Sequence, residues 1–166
     1  VVFFDPYKPN GADIALGIRR ADSLEELFAQ SDIVTLHTPL NSETQNLIST
    51  DALAAAKQGL ILINTARGPV VDIDALYDAL KRDQVLAAGL DVLPEEPANT
   101  NKKLIKAWHE DEAWLQHRLI ITPHSAFFTP QSMHDIRSFS AATAAKYLRT
   151  NRLDNCVNEA FLKFRR

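Results

Sequence analysis

The chain of 166 residues has a single cysteine, Cys156, so it cannot form an internal disulfide and fits a reducing compartment. It has no basic run, and its net charge is only −3, so neither a nucleic-acid groove nor an acidic membrane surface is an expected partner. No apolar run is long enough to cross a membrane as a helix. There is no low-complexity tract and no internal repeat. Glycine is scarce: Gly11, Gly17, Gly59, Gly68 and Gly89 are the whole set, and no two are spaced as in a Gly-x-Gly-x-x-Gly phosphate-binding turn. His109, His117 and His134 lack ligand-like spacing with one another or with acids, so no metal is expected. What remains is an ordinary composition, 46% hydrophobic and 23% charged, enough for one domain with a real core.

The most informative stretch is Leu60-Ile61-Leu62-Ile63-Asn64-Thr65-Ala66-Arg67-Gly68. Four apolar residues in a row predict a buried strand. The run ends in polar residues, an arginine and a glycine. A cation at the carboxyl end of a buried strand is where an open α/β sheet binds an anionic ligand.

The same pattern recurs along the chain. Val1 to Asp5 reads as a short strand ended by Pro6. Because Val1 already lies in a strand, the chain is expected to be a fragment, and the missing glycine turn, which in a complete Rossmann unit comes just before Val1, fits truncation as well as it fits another fold. Ala12–Leu16 predicts a helix closed by Gly17, and Ile18-Arg19-Arg20 a strand. Ser23-Leu24-Glu25-Glu26 has the form of a capping box ahead of a helix with Leu24, Leu27 and Phe28 on its apolar stripe. Ile33–Leu36 is a strand stopped by His37-Thr38-Pro39. Ser42 to Gln45 predicts a second cap, and Asp51 to Lys57 a short helix. Asp72 caps a helix carrying Leu76, Tyr77 and Leu80. Ala87–Val92 and Leu119–His124 are the last two strands. Thr129-Pro130 opens a long helix with Met133, Ile136, Phe139 or Ser140, Ala144 and Tyr147 along one face.

Strands alternating with helices predict a doubly wound parallel sheet, a Rossmann-type α/β fold. The polar strand ends Asp5, His37-Thr38, Thr65 to Arg67, Asp91 and His124 would then share one edge. Asp5 at such an end accepts hydrogen bonds from ribose hydroxyls and repels a 2′-phosphate, which favours NAD over NADP. Arg67 can grip a carboxylate with two parallel hydrogen bonds. His124 can exchange a proton near neutral pH, and Glu95 or Glu96 can orient it. That set suits reduction of a 2-keto acid.

Phe4-Asp5-Pro6-Tyr7, Asn64-Thr65-Ala66-Arg67-Gly68, Leu90-Asp91-Val92 with Glu95-Glu96-Pro97, and Thr122-Pro123-His124 together resemble the D-isomer-specific 2-hydroxyacid dehydrogenase family, in the family's order. The resemblance implies a catalytic set of Arg67 on the substrate carboxylate, His124 as proton donor and acceptor, and Glu96 as its partner. It implies NAD as cofactor, with Asp5, Thr38 and Pro39 on the adenosine side. Thr65, Ala66, Arg67, Asp91, His124 and Ser125 fall on the nicotinamide side. It also implies a homodimer in the cytoplasm, acting on a small 2-hydroxy or 2-keto acid. Residues 1–129 would form the partial nucleotide-binding domain, with 130–166 a helix and tail returning toward a largely absent substrate domain. Without the glycine turn the piece is expected to bind NAD poorly on its own and not to turn over.

Two features pull within the family. Asn155-Cys156-Val157-Asn158 and the Asp-Pro-Tyr start resemble the C-terminal-binding-protein branch, which makes an NAD-responsive corepressor, nuclear in that case, the alternative reading. Pro123 to Thr129 resembles D-lactate and D-2-hydroxyisocaproate dehydrogenases instead, and Phe127 stands where corepressors carry tryptophan. Residues 97–118 read as an insertion packed on the surface, with Lys102, Lys103 and Lys106 on its wet face.

Overall fold

A computed structural model describes residues 1–159. It divides into two compact units, Val1–Ser125 and the remainder from Ala126. The first unit runs β1 (Val2–Phe3), α1 (Ala12–Leu16), β2 (Arg19–Arg20), α2 (Leu24–Gln30), β3 (Ile33–Leu36), α3 (Thr50–Ala54), β4 (Leu60–Asn64), α4 (Ile73–Lys81), β5 (Val85–Leu90), α5 (Lys103–His109) and β6 (Leu119–Ile121). The strands form a two-stranded sheet, β1-β2, and a four-stranded sheet in the order β3-β4-β5-β6, and every pair is parallel. This is the α/β architecture that the alternating pattern predicted.

Helix starts follow local chemistry. Ser23 accepts the Glu26 N–H at 3.1 Å, while the Glu26 carboxylate takes the Asp22 N–H at 2.7 Å, so the reciprocal half of the capping box lands one residue upstream. Asp72 accepts the N–H groups of Asp74 and Ala75 at the head of α4. The cap expected at Ser42 to Gln45 is instead a turn on Asn41, whose Oδ1 accepts from the N–H groups of Glu43 and Thr44. The true cap is Ser49, and α3 stops at Ala54, short of Lys57.

Leu60, Leu62 and Asn64 are fully buried, whereas Ile61 and Ile63 are only half-buried, so β4 is covered more completely on one face. Phe28, Leu53, Leu76 and Leu80 complete this core from the helices. Leu104, in the segment expected to be surface packing, is also fully buried in it. The segment docks on α4: Trp114 meets Tyr77 edge-on at 5.6 Å, and Lys81 lies 4.0 Å from the Trp114 ring centroid. Its lysines are not simply solvated, because Lys102 bonds Asp74 at 3.0 Å and Lys103 reaches the Tyr77 ring.

Arg118 closes this segment. Its guanidinium donates to the carbonyls of Leu80, Val85, Leu86 and Trp114 at 2.8–3.2 Å and pairs with Asp83 at 2.9 Å. Charge-assisted bonds are the strong ones, and carbonyls left behind by truncation lose their partner. Arg118→Ala is therefore expected to cost about 2–4 kcal/mol. Urea midpoints of the two proteins check this; a difference within error would contradict it.

The second unit holds α6 (Pro130–Thr150). A reciprocal Thr129–Ser132 capping box starts it, with Pro130 in its first turn. None of its residues is buried, and Ile136, Phe139, Tyr147 and Leu148 are exposed.

Candidate active site

Strand register sets the site. Leu36 lies beside Asn64, Asn64 beside Leu90, and Leu90 beside Ile121. The residues that follow, His37, Thr65, Asp91 and Thr122, therefore leave a parallel sheet at one common edge. In such sheets the carboxyl edge is where ligands bind.

Two strands end earlier along the chain than the sequence pattern predicted. β5 spans Val85–Leu90 rather than Ala87–Val92, and β6 stops at Ile121 rather than His124. The reason is the same in both. Asp91 makes the last bond to β4, its N–H to the Asn64 carbonyl at 2.9 Å, and becomes the hub of the next loop. It is 5% exposed, and its Oδ1 accepts from the Thr122 hydroxyl at 2.5 Å and the Ser125 N–H at 2.9 Å. Its backbone carbonyl accepts the His124 N–H at 2.9 Å. These bonds hold His124 at φ 53°, a left-handed conformation that costs a non-glycine residue about 1–3 kcal/mol unless its surroundings fix it.

So placed, His124 points Nδ1 at Glu96 Oε2, 2.9 Å away. The other carboxylate oxygen accepts the Leu93 N–H at 3.1 Å. Both side chains are a little over two-fifths exposed, so the pair sits at an open surface. The bond from His124, then the one from Leu93, holds the Glu96 carboxyl below its ordinary value of 4.5. A carboxyl lowered on folding contributes stability that is present above 4.5 and lost as pH falls through the lower folded value. Glu96→Gln is thus expected to flatten the acid limb of the stability profile, and urea midpoints at about pH 7 and pH 3.5 check it. An unchanged acid limb would contradict it.

Arg67 follows β4 on an exposed loop tied down by one residue. The fully buried Asn64 accepts the Ala66 N–H and donates to the Arg67 carbonyl, both at 3.0 Å. The Arg67 guanidinium makes one hydrogen bond, to the Ala66 carbonyl at 2.6 Å, and no acid pairs with it among the described residues. The next residue, Gly68, lies against the Leu93–Pro94 peptide so closely that an added Cβ would fall 1.9 Å from the Leu93 carbonyl. The arginine loop and the Glu96 loop are therefore packed backbone to backbone.

Asp5, His37, Thr38 and Pro39 line a trough of about 1120 Å³ between β1 and β3. One Asp5 carboxylate oxygen accepts the Tyr7 N–H at 2.9 Å; the other has no partner among the described residues. Arg20 braces this loop by donating to the carbonyls of Asp5 and Lys8. Tyr7 also bonds Glu43, which joins the loops after β1 and β3. His37 bonds Thr35 at 3.1 Å. The sequence-based site residues thus form two groups: Asp5, after β1 of the smaller sheet, with Thr38 and Pro39 at the trough, and Thr65 to Arg67, Asp91, Glu96, His124 and Ser125 in a loop cluster at the edge of the larger sheet. Asn64 and Thr122 were quoted in the sequence motifs without a role, and the structure makes them the residues that anchor the loops.

Residues 1–126 match the family described as D-isomer specific 2-hydroxyacid dehydrogenase, NAD binding domain. This chain belongs to that family. It is 33% identical over 158 residues to a D-3-phosphoglycerate dehydrogenase of Methanocaldococcus jannaschii, covering 95% of this chain and 28% of that protein. A D-lactate dehydrogenase of Treponema pallidum superposes with a TM-score of 0.74 at 31% identity, over 92% of this chain and 46% of that one. A D-lactate dehydrogenase of Aquifex aeolicus, solved with NAD and lactic acid, gives 0.71 at 31% identity, over 90% and 46%. The chain spans less than half the length of these dehydrogenases. NAD is the cofactor of the domain family, and a carboxylate with an open oxygen at the trough fits a nucleotide ribose.

Proposed function

We propose that the whole protein is an NAD-dependent oxidoreductase that interconverts a small D-2-hydroxy acid and its 2-keto acid. The observation that carries this reading is the His124–Glu96 bond, with the Glu96 loop packed against the loop of an arginine that has no acidic partner among the described residues. Arg67 holds the substrate carboxylate through a bidentate contact. His124, with Nδ1 on Glu96, gives the proton from Nε2 to the carbonyl oxygen as the 2-hydroxy acid forms, and takes it back in the reverse direction. Glu96 fixes the orientation of the imidazole through its bond to Nδ1. NAD, when bound, supplies or accepts the hydride. Asp5 takes the ribose hydroxyls, with Thr38 and Pro39 beside it. Thr65, Ala66, Asp91 and Ser125 frame the nicotinamide side, where Asp91 acts chiefly by holding His124.

The domain division belongs to the same reading, with residues 1–129 a partial nucleotide-binding domain and 130–159 an arm toward a substrate domain. The exposed apolar side chains of α6 support a homodimer, and the single cysteine supports a cytoplasmic setting. Residues 160–166 of the expected tail lie outside the described residues. The relatives named above are enzymes by description, which supports the enzyme over the corepressor.

The test is turnover of the whole protein with NADH and a panel of 2-keto acids. Arg67→Ala is expected to raise KM and lower kcat together, and Arg67→Lys to restore part of both, because a single ammonium replaces a two-pronged grip. No oxidation of NADH with any 2-keto acid would overturn the reading.

A further inference from the structure

Glu43 lies in the loop after β3 and Tyr7 in the loop after β1, and both line the trough together with Asp5, Thr38 and Pro39. The Tyr7 hydroxyl donates to Glu43 Oε2, while the Tyr7 N–H donates to Asp5 Oδ1. One tyrosine therefore spans the gap between two carboxylates from different loops. Each end of this bridge is held on its own side. Asn41 Oδ1 accepts the Glu43 N–H at 2.9 Å, and the Thr44 hydroxyl donates to the Pro39 carbonyl at 2.6 Å. Across the trough, Arg20 donates to the carbonyls of Asp5 and Lys8 at 2.9 and 3.1 Å. The bond to Glu43 raises the Tyr7 hydroxyl above its ordinary 10.0, with smaller contributions from burial and from the Glu43 and Asp5 charges. Both carboxylates thus act on one hydroxyl. The nearby cations do not offset them inside the trough: neither Lys8 nor Arg20 lines it, and Arg19, which does, pairs with Val2 at the start of β1.

We propose that Glu43 is a second specificity-determining residue for the cofactor: its carboxylate, joined by Tyr7 to Asp5, turns away a 2′-phosphate and so favours NADH over NADPH. Asp5 supplies one negative charge at the ribose, and Glu43 adds another from a separate loop. Like charges repel, and a phosphate monoester carries nearly two of them at neutral pH. The unphosphorylated ribose presents only hydroxyls, which a carboxylate accepts without penalty. Specificity of this kind comes from repelling the wrong ligand rather than from gripping the right one harder. Tyr7 is the positioning residue, because its hydroxyl fixes where the Glu43 charge stands. The inference rests on the reading of the trough as the adenosine site.

The experiment titrates the whole protein with NADH and with NADPH, which differ only in the 2′-phosphate, and reads both dissociation constants from nucleotide fluorescence. Glu43 is exposed, so its replacement leaves the core intact. Glu43→Gln keeps an acceptor for the Tyr7 hydroxyl and removes the charge. It is expected to narrow the gap between the two constants about fivefold at low salt, by tightening NADPH and leaving NADH unchanged. Salt at about 1 M is expected to erase most of that difference between the variant and the unchanged protein. Tyr7→Phe, which frees Glu43 with its charge intact, is expected to narrow the gap by a smaller factor. A tyrosine that served only to tie two loops together would shift both constants alike. Asp5→Asn checks the site itself and is expected to weaken NADH and narrow the gap. If Asp5→Asn leaves both constants unchanged, the adenosine reading of the trough fails and the inference fails with it. If Asp5→Asn narrows the gap while Glu43→Gln does not, or moves NADH and NADPH equally, the adenosine reading stands and the role of Glu43 is overturned.

Discussion

Replacing Gly68 by alanine is expected to destabilise the chain by about 3 kcal/mol or more, the upper range for overpacking. An added Cβ meets the Leu93 carbonyl carbon and oxygen at 1.9 Å and the Pro94 nitrogen at 2.5 Å. All three are backbone atoms, so no side chain can rotate away. Either the 65–68 loop or the 92–96 loop must move, and the second carries Glu96. In the whole protein the same change is expected to separate Glu96 from His124 and to lower kcat along with stability. Gly89, with open space around its Cβ position, is the control: Gly89→Ala should cost much less. Urea midpoints of the two variants measure the contrast, and equal midpoints would contradict it.

Replacing His124 by alanine in the whole protein is expected to lower kcat for 2-keto acid reduction by about 10²–10⁴, the range for loss of a positioned general acid. NADH affinity should change little, because the imidazole acts on the substrate oxygen. Glu96→Gln should lower kcat less, since the amide can still bond the imidazole but holds it less firmly than the carboxylate does. Single-turnover rates and NADH fluorescence separate the two effects. A His124→Ala protein with undiminished kcat would contradict the proton-donor role.

Local chemistry marked most of the elements in the sequence. Leu60–Asn64 is both an apolar run and the observed β4, because its end coincides with a change from aliphatic to polar residues. The same is true of α6, where Thr129 and Pro130 supply a cap and a fixed φ. β5 was misplaced by two residues because Ala87, Ala88 and Gly89 pattern weakly and Asp91-Val92 looks like more strand. Asp91 keeps a backbone bond to Asn64 of β4, but its side chain is taken up by Thr122 and Ser125, some thirty residues on, which no local pattern shows. β1 reached only Val2–Phe3 because its paired partner β2 is itself two residues long.

The site was legible in outline for a different reason. Arginine, glutamate and histidine at strand ends are unusual enough in chemistry to be picked out one by one. Their supports were not. Asn64 is an ordinary polar residue until it is seen fully buried with its amide bonded to the loop on both sides. Arg118 looked like the end of an insertion, and its four carbonyl partners come from helix, strand and loop segments up to 38 residues away. Leu104 had the period of a helix, but the seat it fills beneath α4 exists only in the folded chain.

A crystal structure of the whole protein with NADH and oxamate, an unreactive 2-keto acid analogue, tests the proposed convergence of Arg67 and the His124–Glu96 pair most directly. The predicted result is the oxamate carboxylate within about 3 Å of the Arg67 guanidinium, with its carbonyl oxygen at the same distance from His124 Nε2. Oxamate bound elsewhere, or Arg67 and His124 contacting different molecules, would contradict it.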